Sequence, residues 1–236
     1  MKIWWAIYSG LLATLLCAGV WAQAYTPFPG TVVENRTRHM QERVEEIYTA
    51  GNHERALLIY EKDLAPLGDK YAQYMVGFMH LNAEGVQQDR VEALSWYRLA
   101  AERSEPLLVE VRDALVAQLS PAEIRASDVR FLELWKSIGD RKLIMELIQG
   151  DLNILRSQTG TRITGSVVSG PTIVFKPNGE QLGPNYYLRV RNRLVARLNY
   201  LDAKVNIVDP VLAEEFGKAR DLETGIKQEL AALDNP

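Results

Sequence analysis

Residues 71–103 read YAQYMVGFMHLNAEGVQQDRVEALSWYRLAAER: one apolar run, a polar turn interval, then a second apolar run. The spacing predicts a helix over Tyr71 to Leu81, a turn over Asn82 to Gln88, and a helix capped by Asp89 that runs to about Arg103. Gly77 and Ala93 remove side-chain bulk where two helices meet, so their backbones can approach closely. Phe78, Trp96 and Tyr97 supply the area that fills the wider gaps. Gly85 suits a turn position of positive φ, which a Cβ resists. A single helical hairpin leaves apolar surface on both flanks, so further hairpins are expected on either side.

Working outward, the same design recurs. Ala56, Leu57 and Tyr60 precede Ala93, Leu94 and Tyr97 by 37 residues each, a period that signals stacked helical hairpins. Upstream, helices are expected over Glu34 to Ala50, punctuated by Gly51-Asn52, and over Glu54 to Leu64, stopped by Pro66 and Gly68. Downstream, Glu105-Pro106 opens a helix ending near Leu119. Ser120-Pro121-Ala122-Glu123 then has the form of a capping box with proline at the first helical position, and that helix breaks at Gly139. A last helix over Asp140 to Arg156 makes seven.

The central segment resembles the Sel1-like repeat, a relative of the tetratricopeptide repeat. Ala72-Gln73, Gly77, Met79, Gly85-Val86, Asp89, Ala93, Trp96-Tyr97 and Ala100-Ala101 follow that pattern in order and spacing, while Val76, His80 and Ala83 depart from it. The resemblance implies a bacterial, exported protein that binds another protein or peptide. It implies a groove lined by the first helices of the hairpins, which makes Gln73, Tyr74 and His80 candidate partner-binding residues. Some cysteine-rich Sel1-like proteins are linked to cell-wall or β-lactam hydrolysis, the enzymatic alternative.

The ends differ in composition. Lys2 is the only charged residue before Glu34, Ile3 to Val20 is an apolar run, and Ala22-Gln23-Ala24 offers a cleavage site before Tyr25. That layout is expected for a secretory signal peptide, and export places the body in a periplasm. An uncleaved segment would instead hold the body at the membrane, since the run approaches the about 17–25 residues a bilayer requires. Cys17 is the sole cysteine, and bulky Leu16 argues against a lipoprotein anchor there; after cleavage no thiol remains for disulfides, nucleophilic attack or metal binding. Residues 157–184 are rich in Gly, Ser, Thr and Pro. Beyond them two apolar stripes, over Asn185 to Lys204 and Val211 to Leu233, are expected to pair as a hairpin. The expected organisation is therefore all-α: signal peptide 1–24, flexible lead-in 25–33, a short α-solenoid of stacked antiparallel hairpins over 34–156, a linker or small β-hairpin over 157–184, and a C-terminal helical hairpin over 185–236 that is also a surface for self-association.

Little in the sequence points to catalysis. The net charge of −3 gives no electrostatic footprint for nucleic acid. His39, His53 and His80 lack metal-ligand spacing. Gly160 to Ser166 has serine where a phosphate-binding loop needs lysine. Glu133 and Glu146 sit in apolar runs, but helical spacing turns both to solvent. No catalytic residue, cofactor or metal is expected. One charge cluster stands out: Arg189, Arg193 and Arg197 form a four-residue ladder that either meets an anionic partner or is neutralised by acidic residues of a paired helix.

Overall fold

The computed structural model describes residues 28–30, 35–158, 174–175, 181–182, 186–205, 223–228 and 231. The calls of a signal peptide over 1–24, and most of the linker over 157–184, lie outside them. The fold is all-α. Helices α1 (Asn35–Thr49) and α2 (His53–Ile59) form the first hairpin and α3 (Lys70–Asn82) and α4 (Arg90–Ala100) the second, and α5 (Pro106–Val116) and α6 (Pro121–Ile138) follow, both packed on α4. Then come α7 (Asp140–Gln158), a two-residue antiparallel pairing of β1 (Val174–Phe175) with β2 (Gln181–Leu182), and α8 (Tyr186–Tyr200).

Local chemistry sets these limits. Pro66 has no N–H to donate, so α2 ends by widening into a π-helical turn over Tyr60–Leu64, with the Ala65 N–H reaching back to the Tyr60 carbonyl. Asp69 then caps α3, accepting from the N–H groups of Tyr71 and Ala72 at 3.0 and 3.1 Å. Asp89 does the same for α4, accepting from Val91 and Glu92 at 2.9 Å each. Ser120 and Glu123 form the reciprocal capping box at the start of α6.

Gly77 faces the Tyr97 ring so closely that a Cβ would stand 2.7 Å from its Cδ1. Gly85 has φ +70°, and a Cβ there would lie 2.4 Å from the Glu54 backbone nitrogen, so the turn of the second hairpin rests directly on the first. Ala83, where the repeat pattern has glycine, still takes the left-handed conformation at φ +59° and closes α3 by donating to the Met79 carbonyl.

Two hydrophobic cores result. The first runs from Val44 to Trp135 and holds α1 to α6 together. The second joins Ile144, Ile148, Leu152 and Leu155 of α7 to Val190, Leu194 and Leu198 of α8, with Leu201, Ile226 and Phe28 completing it. The last helix of the predicted array, α7, lays its isoleucine–leucine stripe antiparallel on α8, while Asp140 at its start stays tied to Lys70 and Arg103. Phe28, placed in a flexible lead-in, is 5% exposed inside that second core.

Candidate interaction surfaces and the comparison with known proteins

Helix α3 lies between α4 and the end of α2 with its Tyr60–Leu64 turn, and this decides the fate of the candidate groove residues. Gln73 is fully buried: its amide nitrogen donates to the Ala65 carbonyl at 3.1 Å and its oxygen accepts from Lys70 Nζ at 3.0 Å. Tyr74 is buried and stacks on Tyr97, with centroids 5.5 Å apart and planes 14° apart. Neither lines an open groove, which corrects the expectation for both. The signal was present in the sequence, since residues 71–79 are apolar or small at nearly every position and a helix apolar all round is a buried helix. His80, half-buried at the end of α3, keeps a surface position; its Nδ1 has no hydrogen-bond partner among the described residues.

The arginine ladder divides. Arg189 is exposed. Arg193 and Arg197 instead turn to Asp151, a buried carboxylate on α7: Arg193 Nη2 lies 2.5 Å from Oδ1 and Arg197 Nη1 lies 2.7 Å from Oδ2. Arg197 also donates to the carbonyls of Leu147 at 3.0 Å and Pro29 at 2.9 Å. Burial pushes the Arg197 guanidinium down from its ordinary value, with Asp151 opposing. These two arginines serve the second core rather than an anionic partner. Their acid is Asp151 of α7, the helix packed against α8.

A charged cluster that sequence reading missed lies where the hairpin stack meets α7. Lys70 Nζ sits 2.7 Å from Glu102 Oε2 and 3.0 Å from Asp140 Oδ1, and it donates to the Leu99 carbonyl at 2.9 Å. Arg103 grips Asp140 with two bonds of 2.6 and 3.1 Å and donates to the Gly68 carbonyl at 3.1 Å. The Asp140 N–H donates to Glu102 at 3.2 Å. Burial alone would raise the Asp140 carboxyl, but Lys70 and Arg103 hold it below its ordinary value. Burial raises Glu102 despite Lys70. Two cations and two carboxylates neutralise each other with their donors committed, so the cluster is a joint rather than a reactive centre. In the sequence Lys70 stands directly after Asp69 and ahead of the apolar run from Tyr71, and nothing local marks its partners Glu102 and Asp140.

Glu133 and Glu146 are exposed and pair with Arg130 and Lys142, as their helical spacing implied. No group of three or more His, Cys, Asp or Glu is placed to hold a metal ion among the described residues. None of the described helices is long and apolar enough to cross a membrane.

Comparison with known proteins finds one match, and it falls on the central hairpin. No curated protein and no solved structure matches the chain. The model of the Sel1 repeat matches residues 70–105, from the lysine that opens α3 to the residue before α5, so the hairpin packed by Gly77 against Tyr97 is a Sel1 repeat.

Proposed function

We propose that the protein is an exported adaptor of a bacterial periplasm, whose stacked hairpins hold a protein or peptide partner. The observation that carries this reading is a Sel1 repeat covered on both sides by further helices, since Sel1 repeats generally mediate protein–protein interaction and are typically non-catalytic. With α3 covered, the accessible positions belong to the flanking helices: Arg38 and Glu42 on α1, and Leu107 and Glu110 on α5, all exposed. His80 and Arg189 remain with them as contact residues. Export is supported by Lys2, the apolar run after it and Ala22-Gln23-Ala24, and by a body without cysteine.

The hydrolase alternative finds no support in Glu133 and Glu146, the glutamates it would use, which are solvated and ion-paired. The test is photo-crosslinking in the cell envelope from positions 38 and 107. Recovery of one defined protein adduct is expected, and its absence from both positions, with the chain recovered intact from the periplasmic fraction, would sink the adaptor reading.

A further inference from the structure

Phe28, Pro29 and Gly30 are remote in sequence from most of what they touch. The Phe28 ring meets Tyr200 edge-on at 5.8 Å and lies under the Arg103 guanidinium, 4.9 Å from its carbon. The Pro29 carbonyl accepts from Arg197 Nε at 2.9 Å. Gly30 has φ +71°, and a Cβ there would stand 2.3 Å from Cδ of Arg193. Three consecutive residues are thus recognised by three devices: a slot for an aromatic ring, a fixed donor for a carbonyl, and a place only glycine fits.

The charged walls of the slot are held by contacts that do not involve its occupant. Asp140 holds Arg103 with two bonds, and Asp151 holds both Arg193 and Arg197. Side chains fixed in this way lose little freedom when a peptide docks on them. Gly68 forms part of the wall, its Cβ direction ending 3.5 Å from the Phe28 ring. The occupant is small by contrast. Burying one phenylalanine shifts an equilibrium by on the order of ten- to a hundredfold, and tethering adds an effective concentration in the range of ~1 mM. An occupant of that strength is displaceable without unfolding the helices around it.

We propose that this slot is a binding site for an aromatic-Pro-Gly turn of a partner protein, and that residues 28–30 fill it in cis as an internal competitor. The proposal does not depend on the adaptor reading of the hairpin stack, since the slot lies at the junction with the second core. Exchange of the two segments would leave the charged joint below them unchanged.

The experiment is fluorescence anisotropy with a labelled peptide Tyr-Thr-Pro-Phe-Pro-Gly-Thr-Val, the sequence of residues 25–32, added to the full chain and to its Phe28→Ala variant. The variant is expected to bind at least about tenfold more tightly than the parent, and a peptide with alanine in place of its phenylalanine is expected to bind neither. Equal affinity for parent and variant, or no binding to a variant of native helical content, overturns the proposal. Loss of helical content in Phe28→Ala overturns it too, because a ligand is not required for its site to fold. A parent chain that sediments as a dimer, and as a monomer after Phe28→Ala, identifies a second copy as the source and overturns occupancy in cis.

Discussion

The two hydrophobic cores of this chain are built on opposite principles. In the hairpin stack, helix spacing is set by size contrast: Gly77 against the Tyr97 ring, with Ala72, Ala93 and Ala100 fully buried around them. In the second core, α7 and α8 present matching aliphatic stripes, and what distinguishes one register from another is Asp151 reaching Arg193 and Arg197. Small-against-large packing is local, since its partners lie about a turn interval apart and leave a mark within one short window of sequence. Aliphatic pairing between residues more than forty apart leaves no such mark, and a buried ionic contact takes over the task of choosing the register.

The largest effect is expected where that contact is cut. Asp151→Ala leaves Arg197 buried with two carbonyl partners and no counter-charge, which costs about 3–5 kcal/mol. Unfolding followed by far-UV circular dichroism should then begin at lower urea than unfolding followed by Trp96 and Trp135, which belong to the first core. Coincident transitions would show that the two cores are one cooperative unit and would break the contrast. The next effect belongs to the hairpin stack. Gly77→Leu drives a side chain into the Tyr97 ring and is expected to cost at least about 1–3 kcal/mol, whereas Ser120→Ala, which removes an exposed cap, costs about 1 kcal/mol. A reversed order in urea titrations would mean that the α3–α4 spacing is not set by size contrast.

Where the sequence was legible follows from the same division. The hairpin boundaries came from Pro66, Asp89, Gly85, Ser120 and Gly139, each a local signal with a local cause, and the central repeat came from residues whose sizes interlock over 33 positions. The pairing of α7 with α8 was not legible, because Ile144, Ile148 and Leu152 suit any apolar stripe and the chain passes through residues 159–185 before meeting its partner. The burial of Gln73 was missed for another reason: a polar residue in an apolar helix was read as a contact rather than as a group satisfied by Ala65 and Lys70. For the arginine ladder, neutralisation by a paired helix was legible but the acid was not, since Asp151 stands inside an apolar stripe where charge patterning does not reveal its direction.

The smallest effect is one of acidity, and it isolates how α1 docks on the first core. Glu45 of α1 accepts from the hydroxyl of Tyr60, while Gln41 of the same helix donates to Asp69 at 2.6 Å. Burial raises the Glu45 carboxyl above its ordinary value of 4.5, the Tyr60 and Tyr71 hydroxyls oppose it, and Asp69 adds to the rise. Burial raises Asp69 as well. A carboxyl raised in the folded state binds a proton that the unfolded chain does not, so its contribution is full below the ordinary value and is lost as pH climbs through the raised one. Asp140 has the opposite sign, because its lowered value makes stability fall only as pH drops below its ordinary 3.8. The two windows do not overlap. Acidification from about pH 7 to about pH 5 should therefore raise the urea midpoint. Glu45→Gln, which keeps an acceptor for Tyr60 but carries no charge, should make that rise smaller while leaving the loss at lower pH untouched. An identical rise in parent and variant would assign the acid response elsewhere and remove Glu45 from the docking of α1.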